Sequence, residues 1–260
     1  MAVEDTRATQ KEYDDGAAAY QDTSYKKDDQ VEFHTFFQHT GHLSGKKVLD
    51  VACGEGRYTR LIKQRGAADV VGLDLSEEMV KLAQQQVTEK CDISYFQHDL
   101  ASPLPAHLQG QFDVVCSQYL LCYATTEDVL ETMVRHCFGA VKPGCTFVSL
   151  TDNPTNTPDQ YRKWEDYGYV KKTDGEVGVD GMLPEGTSVK WVFANGFESE
   201  VWIHHPKTYE AAFLKAGFVD VEWFGFTVPP QFVFDKSSVE YLAPRILEPP
   251  VLGIKARRPE

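Results

Sequence analysis

Positive charge is scarce in this chain: 26 Lys and Arg stand against 39 Asp and Glu, a formal net charge of -13 at pH 7. Polyanion binders usually show a basic patch. Lys171-Lys172 and Arg257-Arg258 are too small to form one, so no nucleic-acid partner is expected. A small or cationic substrate suits the charge better. The six cysteines, Cys53, Cys91, Cys116, Cys122, Cys137 and Cys145, contain no CxxC pair. That spacing argues against a structural zinc site, and several of them lie in apolar strand-like runs, as reduced core cysteines of a cytoplasmic protein do. No apolar run approaches the roughly 20 residues that cross a bilayer. MAVEDTRATQKEYDD is too polar and acidic for a signal or transit peptide. The expectation is a soluble cytoplasmic protein, a monomer or homodimer, with no bound metal and no membrane partner.

What is present is ordinary globular material: 260 residues, 42% hydrophobic, 25% charged and 12% aromatic, enough for one large α/β domain with a modest insertion. Residues 30–41 have helical spacing, with Val31, Phe33, Phe36 and Phe37 on one face. Buried strands are predicted at 47–51, 69–73, 93–96, 112–117 and 146–150, with helices at 58–64, 76–87 and 126–138 between them. Strands alternating with helices in this way indicate parallel βαβ units. Residues 151–187 are rich in Pro, Gly, Asp and Tyr and read as an insertion or lid. Two alternating runs around Ala194-Asn195-Gly196 form a hairpin signature over 188–203. A helix opening at Pro206 and two strands, 218–223 and 251–256, close the chain.

The most informative segment is Val48-Leu49-Asp50-Val51-Ala52-Cys53-Gly54-Glu55-Gly56-Arg57-Tyr58-Thr59, a buried strand entering a glycine turn and a helix. Val70-Val71-Gly72-Leu73-Asp74 then ends a second strand on a carboxylate, the position from which an acid accepts hydrogen bonds from ribose hydroxyls. A dinucleotide fingerprint requires G-x-G-x-x-G. Here Ala52 stands first in the turn, Gly54 and Gly56 follow, and Thr59 falls where the packing glycine belongs. Asp50 would repel a pyrophosphate, but it suits a ligand carrying an ammonium group.

These residues resemble the class I S-adenosylmethionine-dependent methyltransferases. Asp50, Ala52, Cys53, Gly54 and Gly56 match the family's first motif, and Asp74, followed by Leu75, matches its ribose-binding acid. Met79 matches a frequent adenine-packing position, and His98-Asp99, followed by Leu100, the acid after strand three. Ser117-Gln118-Tyr119 matches the strand-four segment facing the methyl donor, and Lys142-Pro143-Gly144-Cys145 the P-G-G turn, with Cys145 replacing the second glycine. The resemblance implies a Rossmann-like, seven-stranded, mostly parallel sheet with helices on both faces, plus a β-hairpin insertion after strand five. It also implies a single methyltransferase domain, in which residues 1–42 form a helical lid and 151–205 a substrate-side insertion. Tyr58 and Thr59 at the helix start are expected near the donor's carboxylate, and Tyr20 and Tyr25 near its sulfonium.

Over the whole chain, including Phe36-Phe37, Tyr119-Leu120-Leu121-Cys122-Tyr123-Ala124 and Asn153-Pro154, the sequence looks most like the toxoflavin-synthase group. That resemblance implies N-methylation of an azapteridine-like heterocycle or amine by direct in-line transfer, with S-adenosylhomocysteine as product. Because the donor is already activated, no nucleophile–base pair is required, and none stands out. Tyr119, Tyr123, Asn153 and Trp191 are the expected orienting residues for the acceptor. An O-methyltransferase using His204 or His205 as base, an NAD-dependent oxidoreductase and a non-catalytic donor-binding regulator are the alternatives.

Overall fold

A computed structural model describes residues 2–21, 27–87 and 91–260, except for the side chains of 2–5, 18–21 and 27–28. Two helices, α1 (Ala2–Gln21) and α2 (Lys27–Thr40), lead into the alternating part. It comprises β1 (Lys47–Val51), α3 (Arg57–Gln64), β2 (Asp69–Asp74), α4 (Glu77–Gln85) and β3 (Ile93–Gln97). β4 (Phe112–Gln118), α5 (Glu127–Ala140) and β5 (Val141–Asp152) complete it. The chain then runs through β6 (Tyr169–Lys172), β7 (Thr187–Phe193) and β8 (Glu198–Ile203). α6 (Pro206–Ala216), β9 (Val219–Phe224), α7 (Lys236–Leu247) and β10 (Val251–Arg257) follow.

Seven strands form the main sheet in the order β3-β2-β1-β4-β5-β10-β9. β1 to β5 pair in parallel, and β10 is antiparallel to both of its neighbours. The central strands are apolar in unbroken runs because helices cover both faces. Side chains alternate between those faces. Leu49, Val71, Val115 and Phe147 pack with Leu130 and Val134 of α5 and Phe213 of α6. Val48, Val70, Val114 and Val148 pack with Val31 and Phe36 of α2, Ile62 of α3 and Leu242 of α7. Fully burying one such side chain stabilises by about 1.5–3 kcal/mol. Ser76 caps α4 by accepting from the Met79 amide at 3.1 Å, with Glu77 and Glu78 in the first turn as the helix dipole favours.

The insertion holds one strand more than the predicted hairpin. β7 and β8 pair antiparallel around the Asn195-Gly196 turn, and β6 adds to the free edge of β7 with Tyr169 opposite Phe193. Tyr169-Val170-Lys171-Lys172 is too short and too charged to read as a strand, yet it pairs because Lys171 is buried. α7 is also new. Its polar start and Pro244 in the last turn hide a helix that buries Leu242 and Arg245. Among the described residues, no helix is long and apolar enough to cross a membrane.

The order of strands reverses between β1 and β4. In such sheets a crevice opens there, outside the carboxyl ends of the strands. Two non-glycine residues with positive φ sit at those ends, Ala52 (φ 57) after β1 and Tyr119 (φ 62) after β4. Left-handed backbone at a non-glycine residue costs about 1–3 kcal/mol and persists where surrounding structure enforces it.

Candidate active site

Two cavities meet at this crevice and share Tyr13, Ala52, Gly54, Gln118, Tyr119 and Tyr123 as a common wall. The first encloses about 860 Å³ between α1 and the ends of β1, β2 and β4, lined also by Asp74, Leu75, Ser76, His98, Asp99 and Leu100. The second encloses about 1690 Å³ under the insertion, and Tyr58, Tyr167, Tyr169, Trp191 and Phe193 supply rings to its wall.

Asp74 is fixed by backbone donors: its Oδ2 accepts from the Gly54 amide at 2.7 Å and its Oδ1 from the Ser76 amide at 2.9 Å. Burial pushes its carboxyl up to about 6; the amides of Ser76 and Gly54 pull against that rise, and the charge of Asp14 adds to it. Gly56 must be glycine, because it has φ 81 and a Cβ there would lie 2.3 Å from the Tyr95 hydroxyl. Buried polar atoms normally have hydrogen-bond partners. His98 Nε2 and Gln118 Nε2 have none in the protein, and both residues line the first cavity. A ligand with its own donors and acceptors therefore suits this cavity, and a carboxylate facing it suits ribose hydroxyls. α1 closes over the cavity through Thr6, which donates to Asp99 Oδ2 at 3.0 Å, and through Asp14, which accepts from the Ser76 hydroxyl.

The expected site residues divide into those that line the cavities and those that stand behind them. Ala52, Gly54, Asp74, Leu75, His98, Asp99, Leu100, Tyr119 and Tyr123 line the first cavity, and Cys53, Tyr58 and Trp191 line the second. Asp50 lines neither. It is fully buried, its Oδ2 accepts from the Thr59 hydroxyl at 2.6 Å, and burial raises its carboxyl to about 7. Thr59 is thereby turned inward, and the pair braces the glycine turn from behind. Ser117 bonds Ser149 at 2.8 Å inside the sheet, and Met79 is buried under α4. The Asn153 amide donates to the Pro249 carbonyl at 2.7 Å, and its oxygen takes the Thr155 amide and hydroxyl, so it shapes a turn away from both cavities. Tyr25 lies outside the described residues, as does the side chain of Tyr20.

His204 and His205 are similarly engaged elsewhere. His204 Nδ1 meets Glu185 at 3.1 Å and its Nε2 meets the Ala124 carbonyl at 2.8 Å, while His205 Nε2 meets the Leu183 carbonyl at 2.8 Å. Neither ring lines a cavity.

Sequence reasoning missed Glu32, Gln118 and Arg245. Glu32 and Arg245 line the second cavity and Gln118 lines both. Glu32 accepts from the Tyr58 hydroxyl at 2.5 Å and the Tyr119 hydroxyl at 2.6 Å. One signal was available: Glu32 lies four residues before Phe36, on the apolar face of its helix. Trp191 is braced from behind by Lys171. That buried ammonium pairs with Asp152 and lies 4.8 Å from the Trp191 ring and 4.9 Å from Trp164.

Comparison with known proteins gives a consistent picture. A methyltransferase-domain family matches residues 48–144. The chain is 30% identical over 194 residues to the demethylmenaquinone methyltransferase of Lactococcus lactis, covering 70% of this chain and 69% of that one. It is 38% identical over 165 residues to the ubiquinone biosynthesis O-methyltransferase of Pseudomonas fluorescens strain Pf-5, covering 62% of this chain and 63% of that one, just under two thirds. Among solved structures, an S-adenosylmethionine-dependent methyltransferase from Mesorhizobium loti has a TM-score of 0.61 at 24% identity, covering 90% of this chain and 100% of that one. Phosphoethanolamine N-methyltransferase 2 of Haemonchus contortus, in complex with S-adenosylmethionine, has a TM-score of 0.57 at 16% identity, covering 95% of this chain and 57% of that one. These two likenesses are likenesses of fold.

Proposed function

The chain belongs to the class I S-adenosylmethionine-dependent methyltransferases, and from that premise we propose that it methylates a planar small molecule, at a ring nitrogen of an azapteridine-like heterocycle. The observation that carries this reading is the second cavity, walled by aromatic rings and joined to the first along Gln118, Tyr119 and Tyr123. Flat, polarisable walls suit a flat acceptor, and a shared wall suits a group passed between two ligands.

When bound, S-adenosylmethionine supplies an activated methyl carbon on a sulfonium centre. In our assignment Asp74 accepts the ribose hydroxyls, and His98, Asp99 and Leu100 surround the adenine. The turn of Ala52, Cys53, Gly54 and Gly56 lets the backbone approach the rest of the donor. Tyr119 and Tyr123 stand where the two ligands meet, and Trp191 faces the acceptor ring. The protein's work is to hold donor and acceptor in line and keep water out. α1 serves the second task, with Tyr13 bonded to Tyr123 and packed 5.5 Å from the Phe197 ring. The single-domain organisation, with 1–42 as lid and 151–205 as substrate-side insertion, fits this division of labour. The cysteines, free in this structure, support a reducing cytoplasmic setting.

O-methylation is the second reading, favoured by the likeness to a ubiquinone biosynthesis O-methyltransferase. It draws no support from His204 or His205, which are held by Glu185 and backbone carbonyls. A screen with isotope-labelled donor across azapteridines, amines, phenols and thiols tests the proposal. Label is expected in a nitrogen heterocycle; label in phenols alone would replace the first reading with the second.

A further inference from the structure

Glu32 is the one carboxylate of the second cavity bonded to two tyrosine side chains of the same cavity, and the mechanism above leaves it unused. It is only 8% exposed. The Tyr58 hydroxyl donates to its Oε1 at 2.5 Å and the Tyr119 hydroxyl to its Oε2 at 2.6 Å, while Arg245 of α7 stands 3.8 Å from Oε2. Asp29 faces it from its own helix, and Arg57 of α3 lies beside Tyr58 and pairs with Asp29 at 2.7 Å. Burial pushes the Glu32 carboxyl upward; Arg245 and the two hydroxyls oppose that and Asp29 adds to it. Tyr119 joins this carboxylate to the place where the cavities meet, and it is held there in left-handed backbone at φ 62. A short hydrogen bond from a buried phenol to a buried carboxylate is expensive to maintain unless it is used or fully satisfied.

We propose that Glu32 and Tyr119 form the proton exit of the transfer, and that the acceptor is therefore a heterocycle carrying an N–H at the atom methylated. This rests on the heterocycle reading above. As the acceptor nitrogen bonds to the methyl carbon, the carbon–sulfur bond breaks and its electron pair stays on sulfur. The N–H proton passes to the Tyr119 oxygen while the Tyr119 proton passes to Glu32. The positive charge of the sulfonium and the negative charge of Glu32 are both extinguished, and Glu32 later returns its proton to solvent.

The test compares wild type, Glu32→Gln, Glu32→Asp and Tyr119→Phe on the N–H acceptor found by the labelled screen. Rates are measured against pH and donor affinity by calorimetry. Glu32→Gln and Tyr119→Phe are expected to bind the donor as wild type does. Their kcat should fall by about a hundredfold or more, the usual contribution of a general base. The fall in wild-type kcat on the acid side, where Glu32 becomes protonated, should vanish in Glu32→Gln and persist in the slower Glu32→Asp. A structural role would instead move melting temperature or KM and leave that acid limb in place. Should Glu32→Gln fail to fold, Glu32→Asp and Tyr119→Phe carry the comparison. Wild-type kcat and an intact acid limb in Glu32→Gln or Tyr119→Phe overturn the proton exit while methyl transfer stands. A wild type that labels no N–H acceptor overturns the heterocycle reading, and this inference with it.

Discussion

At the scale of single residues, Asp74 is where a donor nucleoside makes its strongest demand. Its two oxygens are already aimed by the Gly54 and Ser76 amides. Hydrogen bonds to a charged group contribute about 1.5–3 kcal/mol, so Asp74→Ala should weaken S-adenosylmethionine binding by roughly ten- to a hundredfold with the circular dichroism unchanged. Ribose hydroxyls favour the ionised carboxylate, so protonation competes with binding. Wild-type affinity should therefore decline as pH falls through about 6, to which burial raises this carboxyl, and the variant should lose that dependence. Calorimetry at several pH values decides; equal affinity in the two proteins would contradict the assignment. Asp74 was legible in sequence because strand, turn and acid lie within one short stretch. Glu32 was not, because its partners Tyr58 and Tyr119 are 26 and 87 residues away. Asp50 shows the opposite failure. Its position suggested a ligand contact, whereas only the fold reveals that Thr59 turns inward to meet it.

At the scale of elements, the insertion decides what the acceptor meets. β6, β7 and β8 present Tyr169, Trp191 and Phe193 as a tier of rings, with Trp191 4.8 Å from Tyr169 and 6.0 Å from Phe193. Stacking of this kind contributes about 0.5–1.5 kcal/mol beyond area burial. Trp191→Ala should therefore raise the acceptor KM up to about tenfold and leave donor affinity alone, as steady-state kinetics with calorimetry will show. A weakened donor with an unchanged acceptor KM would move Trp191 out of the acceptor wall. The hairpin was readable from Asn195-Gly196 and its flanking alternation. β6 and α7 were not, since a buried lysine in one and a late proline in the other both oppose local propensity. Long-range contacts override that propensity: Lys171 with Asp152, and Arg245 packed 5.4 Å from the Tyr167 ring and 5.5 Å from Phe226.

At the scale of the whole molecule, the doubly wound sheet brings two kinds of wall together. The carboxyl ends of β1, β2 and β4 supply a polar bed with a carboxylate, and the insertion supplies an aromatic roof. The strained residues Ala52 and Tyr119 lie where the two cavities join. The parallel half of this arrangement is written locally, in apolar runs and glycine turns. The roof depends on contacts between segments far apart in sequence, and for that reason the donor was easier to read than the acceptor. The most direct measurement is nuclear magnetic resonance of the product formed from an isotope-labelled methyl donor and an azapteridine carrying an N–H. The expected result is a labelled methyl carbon bonded to ring nitrogen, with S-adenosylhomocysteine formed in equal amount. A labelled methyl bonded to oxygen or carbon, or donor bound with no label transferred, would contradict it.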